Sequence, residues 1–256
     1  MRRIDMNTTE RFSGRAGVYQ ASRPGYPAAL SEHLASLGMR GARVADIGAG
    51  TGIFSRLLLE LGCTVFAVEP NSDMRHTAEL GLKTCDRFSI GSGTAENTGL
   101  PEASVSFVTA AQAFHWFDPD AFRQECLRIL EPGGLAVFVW NSRRENDEAV
   151  QKNADICRRY CSGFYGFSGG NWRKTEENLR LFFGREPEAL HIPNDLFYTK
   201  EKFLQRNLSS SYSLKQGEEG YEDYLEALSA LFDQYAQDGV LRVPNETAAF
   251  WGCPAI

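Results

Sequence analysis

The sequence predicts an α/β fold: a doubly wound, mostly parallel seven-stranded sheet with helices on both faces and an insertion after the fifth strand. Three observations predict it. Short apolar runs alternate with amphipathic stretches from Arg43 to Trp140. The first run, Arg43–Ile47, breaks at once into Gly48-Ala49-Gly50-Thr51-Gly52. The second run ends on an acid, Glu69. Strand, tight glycine turn, helix and strand make a right-handed crossover with parallel strands, a Rossmann-like arrangement.

Taken in order, residues 28–37 form an amphipathic helix ahead of the first strand, 43–47. Ile53 to Leu61 is a helix, with Leu57, Leu58 and Leu61 on one face and Gly62 as its stop. Thr64–Val68 is the second strand, and Asn71 to Leu80 a helix starting from an Asn or Ser cap. Phe88–Gly91 and Val105–Ala110 are the third and fourth strands. Asp120 to Leu130 is a helix closed by Glu131-Pro132-Gly133-Gly134. Leu135–Trp140 is apolar throughout, as a central strand covered on both faces should be.

After Asn141 the rhythm changes. Glu145–Cys161 has helical character, 162–172 reads as a loop rich in Gly, Ser and aromatics, and Glu188–Tyr198 holds a strand. Helices are expected over Lys200–Asn207 and Tyr221–Gln237, and Val240–Val243 with Thr247–Trp251 forms a closing strand or hairpin. No repeat or linker interrupts the chain, so 1–256 is expected to be one domain, with 141–187 a lid or substrate-specificity insertion.

The composition excludes several functions. The 256 residues carry a formal net charge of -6, and the densest basic clusters are Arg2-Arg3, Arg143-Arg144 and Arg158-Arg159. Sequence-independent nucleic-acid binding needs a basic patch, so no nucleic-acid partner is expected. The first seventeen residues lack a signal peptide's apolar core, and no apolar run approaches the ~20 residues that span a bilayer. A cytoplasmic location without a membrane partner is the expectation. The six cysteines form no Cys-x-x-Cys pair and read as buried or idle thiols. No metal site is expected, since Asp118 and Asp120 suit a helix start. Monomer and homodimer fit equally well.

The glycine turn is the most informative segment. Glycines permit backbone angles that side chains forbid and let a ligand approach the main chain. Glu69, some twenty residues on, can accept hydrogen bonds from ribose hydroxyls. A dinucleotide site prefers Gly-x-Gly-x-x-Gly, which seats a pyrophosphate on the helix end; here the spacing is Gly-x-Gly-x-Gly. Asp46 within the turn repels phosphate and suits an ammonium or an ordered water. S-adenosyl-L-methionine, with a sulfonium, an ammonium, a ribose and no phosphate, matches these charges better than a nicotinamide cofactor.

Five segments then resemble, in order, the motifs of the class I S-adenosylmethionine-dependent methyltransferases. They are Asp46–Gly52; Val65–Asn71 with Glu69-Pro70-Asn71; Gly93-Thr94-Ala95-Glu96 followed by Leu100-Pro101; Phe107–Trp116; and Leu127–Trp140 with its Leu-x-Pro-Gly-Gly turn. The likeness covers roughly residues 10–141. Arg15-Ala16-x-x-Tyr19-x-x-x-Arg23-Pro24-x-Tyr26 and Ala111-Gln112-Ala113-Phe114-His115-Trp116-Phe117 are closer still to the small-molecule branch. That branch includes ubiquinone/menaquinone-type and trans-aconitate-type enzymes and methyltransferase type 11-like proteins. The resemblance implies that Gly48, Gly50 and Gly52 line the methionine portion and that Asp46 orients it. It implies that Glu69 holds the ribose, that Asn71 and Met74 border ribose and adenine, and that Thr94, Ala95 and Glu96 frame the adenine. Many relatives carry an acid at the position of Thr94, which leaves Glu96 or a carbonyl to meet the adenine amino group. Tyr19 and Arg23 are implied to bind the cofactor carboxylate.

Methyl transfer is an in-line displacement at an already activated methyl, so alignment supplies much of the rate and no catalytic side chain is obligatory. His115, at the carboxyl end of the fourth strand, is the candidate catalytic residue. It can act as a general base, contact the acceptor without moving a proton, or pack structurally among aromatics. Gln112 lies nearer the cofactor by its place at the strand exit. Trp116 and Phe117 wall the acceptor or belong to the core. Trp172 stands in the aromatic-rich insertion with Tyr160, Phe164, Tyr165 and Phe167, the natural specificity element. Arg143, Arg144, Arg173 and His191 could instead hold a carboxylate. The expected activity is methyl transfer to a small molecule bearing a carboxylate or hydroxyl. The alternatives are a protein or nucleic-acid methyltransferase, disfavoured by charge and by the lack of Asn/Asp-Pro-Pro-Tyr, and a non-catalytic S-adenosylmethionine-binding protein.

Overall fold

The computed structural model describes residues 25–167, 172–210 and 212–256, without side chains for 172–174. Tyr19, Arg23 and the side chain of Trp172 therefore lie outside the described residues.

The first half of the chain alternates as its apolar pattern dictates. Helix α1 (Ala28–Ser36) precedes β1 (Arg43–Ile47), α2 (Ile53–Glu60), β2 (Thr64–Val68), α3 (Ser72–Leu82) and β3 (Phe88–Gly91). Strand β4 (Val105–Ala111) leads through a single 3-10 turn (Phe114–Trp116) into α4 (Pro119–Ile129) and β5 (Leu130–Arg143). Asn71 caps α3, its side chain accepting from Met74 N at 3.0 Å. Asp118 caps α4 by accepting from the N–H groups of Asp120 and Ala121, with Pro119 in the first turn where its missing N–H is not needed.

The second half comprises α5 (Glu148–Tyr160), α6 (Trp172–Phe183), β6 (Glu188–Pro193), β7 (Leu196–Tyr198), α7 (Lys200–Leu208), α8 (Tyr221–Tyr235), β8 (Leu241–Val243) and β9 (Asn245–Gly252). The main sheet runs β3-β2-β1-β4-β5-β9-β6, and β7 with β8 forms a separate two-stranded sheet. The pairs among β1 to β5 are parallel, whereas β9 is antiparallel to both β5 and β6. The expected seven-stranded, mostly parallel, doubly wound sheet is the one observed. Its order reverses between β1 and β4, the switch point at which open α/β sheets leave a crevice at their carboxyl edge.

Of the two readings of the closing segment, a strand and a hairpin, the strand is the one found: Pro244 alone separates β8 from β9, too short a link for two strands to turn back on each other, so they join different sheets and β9 enters the main one. Beyond the loop expected over 162–172, α6 buries Leu179, Phe182 and Phe183 on the sheet.

Alternation along β5 sorts the core into two layers. Ala136, Phe138 and Trp140 meet α4 and α6 on one face, where Phe114, Phe122 and Phe182 make an aromatic cluster. Val137 and Val139 meet the layer of α1 and α2, with Leu30, Leu34, Phe54 and Leu58. A third cluster is built by α5, α7, α8, β7 and β8, including Cys157, Phe164, Phe203, Tyr224, Leu228 and Phe232. This cap has a core of its own. Among the described residues no helix is long and apolar enough to cross a membrane, and no group of three or more His, Cys, Asp or Glu side chains could hold a metal ion.

Candidate functional site

The carboxyl edge of β1 carries the glycine turn, and its three glycines answer three different demands. Gly48 has φ +69°, and a Cβ there would stand 2.6 Å from Ala113 Cβ and 3.3 Å from Phe117 Cζ. Its missing side chain lets the β4 exit close onto the turn. Gly52 has φ +81°, and a Cβ would meet Leu82 Cδ1 at 2.9 Å, so this glycine permits α2 and α3 to approach. Gly50, at φ +57°, faces open space, with nothing within 4 Å of a Cβ. Of the three, it is the one that leaves room for a ligand against the main chain.

Glu69 fixes the opposite rim. Its two carboxylate oxygens accept from Gly50 N and Asn71 N, both at 2.9 Å. The first bond ties the end of β2 to the middle of the turn. Burial pushes the Glu69 carboxyl above its usual range, offset in part by those two N–H bonds and by the Arg75 guanidinium. Arg75 in turn donates to the carbonyls of Glu69 and Pro70, each at 2.8 Å, which sets the direction in which the chain leaves β2. Asn71 and Met74 are both buried beside it.

Asp46 is placed beneath the turn. It is fully buried and its oxygens accept from Ser55 Oγ at 2.6 Å and Thr109 Oγ1 at 3.0 Å. These bonds join β1 to α2 and β4. Burial raises its pKa to about 6, and nearby Glu69 adds to the rise. The carboxylate thus braces the turn from below, with both oxygens already engaged by hydroxyls. Sequence reading missed Ser55 and Thr109, although Thr109 is a hydroxyl between two apolar residues, Val108 and Ala110. Thr51, inside the turn, was missed as well. Its hydroxyl is buried without a hydrogen-bond partner among the described residues.

The segment 93–100 forms the third wall. Ala95 is buried, Thr94 exposed and Glu96 half-buried. Glu96 accepts from Asp118 N at 3.1 Å, so it is committed at least in part to the start of α4. Thr98 donates to Glu125 through its N–H at 2.9 Å and its hydroxyl at 2.5 Å. Arg128 grips the same carboxylate through Nε and Nη2 and also donates to Leu100 O. The guanidinium and the threonine bonds hold Glu125 below the usual carboxylate range despite its burial.

The β4 exit completes the arrangement. Gln112 adopts φ +58°, a left-handed conformation unusual for a residue with a side chain, and donates from Nε2 to Asn141 O at 3.1 Å. That bond links the ends of β4 and β5. His115 is half-buried on the 3-10 turn with its ring 4.8 Å from that of the exposed Trp116. Phe117 turns inward, 4.8 Å from Phe122 and against Gly48, so much of its ring belongs to the aromatic core. The structure therefore brings Gly50, Thr51, Glu69, Asn71, Gln112 and Ala95 to one carboxyl edge. Asp46 and Gly52 stand behind them, and Thr94 and Trp116 are on the outside.

The residues present fit S-adenosylmethionine on two observations: the open space over Gly50, whose N–H is held by the Glu69 carboxylate, and the Thr51 hydroxyl in the same turn, buried with no hydrogen-bond partner among the described residues. An acidic rim suits ribose hydroxyls and repels phosphate.

Comparison with known proteins agrees with this geometry. A family model described as a methyltransferase domain matches residues 45–138, which run from β1 into β5 and include every site position above except Asn141. An uncharacterised methyltransferase of Mycobacterium tuberculosis is 37% identical over 157 residues, covering 61% of this chain and 62% of the relative. The chain thus spans less than two thirds of the length of that relative. A ubiquinone biosynthesis O-methyltransferase of a Caulobacter species is 30% identical over 168 residues, 62% of this chain and 64% of that protein. Among solved structures, one provisionally described as a type II methyltransferase from Anaeromyxobacter dehalogenans superposes with a TM-score of 0.67 at 27% identity. It covers 90% of this chain and 97% of that one.

Proposed function

We propose that this chain, whose residues 45–138 match a methyltransferase domain, is a class I S-adenosylmethionine-dependent methyltransferase that transfers a methyl group to a small-molecule acceptor. The observation that carries the cofactor half is the Glu69 carboxylate, held by Gly50 N and Asn71 N beside the open face of the glycine turn. In this reading Glu69 receives the ribose hydroxyls, Gly50 and Thr51 meet the methionine portion, and Asn71, Met74, Ala95 and Glu96 border the adenosine. Gly48, Gly52 and Asp46 act one step removed, by fixing the turn. Tyr19 and Arg23 remain assigned to the cofactor carboxylate.

When bound, the cofactor supplies an electrophilic methyl on sulfur. The chain's own task is to align an acceptor and keep water away. Gln112 and Asn141 hold the ends of β4 and β5 together beside that space. His115, on the turn that follows, is assigned to the acceptor, as a base or as a hydrogen-bond partner. Trp116 and Trp172 are proposed to contribute acceptor contacts, and Phe117 to present only its outer edge. The cap of α5, α7, α8, β7 and β8 is proposed to cover the acceptor. The α6 half of the 141–187 insertion is instead a core layer on the sheet.

The small-molecule acceptor is supported by the net charge of -6, by the aromatic cap and by the likeness to a ubiquinone biosynthesis O-methyltransferase. The test is calorimetric titration with S-adenosylmethionine, S-adenosylhomocysteine and NAD. The two sulfur ligands should bind, NAD should not, and Glu69→Ala should weaken binding at least tenfold, about 1.4 kcal/mol. Absence of binding to either sulfur ligand by folded, ligand-free protein would overturn the reading.

A further inference from the structure

Arg143 and Asn245 stand directly opposite each other across the antiparallel β5–β9 pair, at the carboxyl end of β5. Directly opposed residues send their side chains from the same face of a sheet. Nearer the middle that face is filled by Val137, Val139 and Ala249. Toward the carboxyl end it turns polar, first at the pair Asn141 and Thr247, then at Arg143 and Asn245.

The two polar pairs differ. Thr247 Oγ1 donates to Asn141 Oδ1 at 2.5 Å, and Asn194 Nδ2 adds bonds to both, so this pair answers itself. By contrast Arg143 Nη1 and Asn245 Nδ2 are buried with no hydrogen-bond partner among the described residues. Asn245 is 2% exposed. The neighbouring cation, Arg144, has Glu246 within ion-pair reach at 3.7 Å, and His191 meets the same carboxylate at 2.8 Å. Asp195, which accepts from the Asn245 backbone N–H at 3.4 Å, is tied to Arg242 through its other oxygen. The Arg143 guanidinium lies over the Phe167 ring with Cζ 3.8 Å from its centre, which fixes its plane.

A buried donor without a partner costs its full desolvation, so two on directly opposed residues are unfavourable unless something accepts from them. One donor is cationic and the other neutral, and both point from adjacent strands. A planar group with two acceptor oxygens and a negative charge fits them: a carboxylate. The cap groups that feel Arg143 do not compete, because burial pushes the Tyr212 hydroxyl and the Cys157 thiol upward, the latter to about 11, and both stay uncharged at neutral pH.

Resting on the methyltransferase reading above, we infer that Arg143 and Asn245 form a subsite that holds a carboxylate of the methyl acceptor. The test uses protein saturated with S-adenosylhomocysteine and matched acid and amide pairs: glutarate with glutaramide, 4-hydroxybenzoate with 4-hydroxybenzamide, cinnamate with cinnamamide. At least one acid should bind roughly tenfold or more tightly than its amide. Arg143→Met and Asn245→Leu should each abolish that preference while still binding S-adenosylhomocysteine. Both variants should melt no lower than the parent, since each replaces an unanswered donor by an apolar group of similar size. Acids and amides binding alike, no acid binding to the loaded protein, an unchanged preference in both variants, or variants that melt several degrees lower would each overturn the subsite. Failure of S-adenosylhomocysteine to bind at the outset would instead overturn the methyltransferase reading and the subsite with it.

Discussion

At Asp46 the chain buries a carboxylate and answers it with two hydroxyls rather than with a cation. Its pKa moves from 3.8 to about 6, chiefly through desolvation. Between those values the unfolded chain gives up its proton before the folded chain does. Stability therefore falls as pH rises through about 4 to 6 and levels off above the folded value. Asp46→Asn removes this contribution. From pH 4 to 7, the unfolding free energy of the variant relative to the parent should rise by on the order of 2–3 kcal/mol in urea melts. Glu69, also pushed up by burial, keeps part of the slope in both proteins, so only the difference isolates Asp46. A pH-independent difference would mean that Asp46 remains ionised throughout. Neither Ser55 nor Thr109 was legible as a partner in advance. A hydroxyl on an apolar face signals a buried hydrogen bond but not to which strand.

The turn between β1 and α2 shows the same limit at the scale of an element. Three glycines in sequence look equivalent, yet only their neighbours in space separate ligand room from packing. Two substitutions should divide them. Gly48→Ala forces a Cβ to within 2.6 Å of Ala113 at φ +69°, and should lower stability by roughly 1–3 kcal/mol in urea melts. Gly50→Ala meets nothing in the protein at φ +57°, and should cost about 1 kcal/mol of stability from backbone strain alone. Its Cβ enters the ligand space, so calorimetry should show the larger loss of S-adenosylhomocysteine binding at Gly50. Equal losses of binding would place ligand against both glycines or against neither.

Across the whole molecule, the sheet and the cap have separate cores. The sheet is packed on both faces, whereas the cap rests on three helices and a two-stranded sheet. Its backbone hydrogen bonds should open at lower free energy than those of β1, β4 and β5. Hydrogen exchange read by mass spectrometry should show α5, α7 and α8 exchanging together and first, and slowing when S-adenosylhomocysteine and an acceptor acid are both present. Exchange of cap and sheet in one step would mean a single cooperative unit and would overturn the separate opening of the cap.

The sequence by itself determined the sheet, the turn and the acid that faces it. Short continuous apolar runs, glycine spacing and Glu69 are local patterns, and local patterns survive in one dimension. Strands 43–47, 64–68 and 88–91 have the residue bounds expected of them. The tertiary structure alone decided which groups answer one another. It set Asp46 beneath the turn instead of in it, gave Phe117 to the core, sent β8 and β9 to different sheets, and put Arg143 beside Asn245 across about a hundred residues of chain. Hydrogen-bond satisfaction and burial depend on neighbours brought together by the fold, and sequence separation carries no record of them.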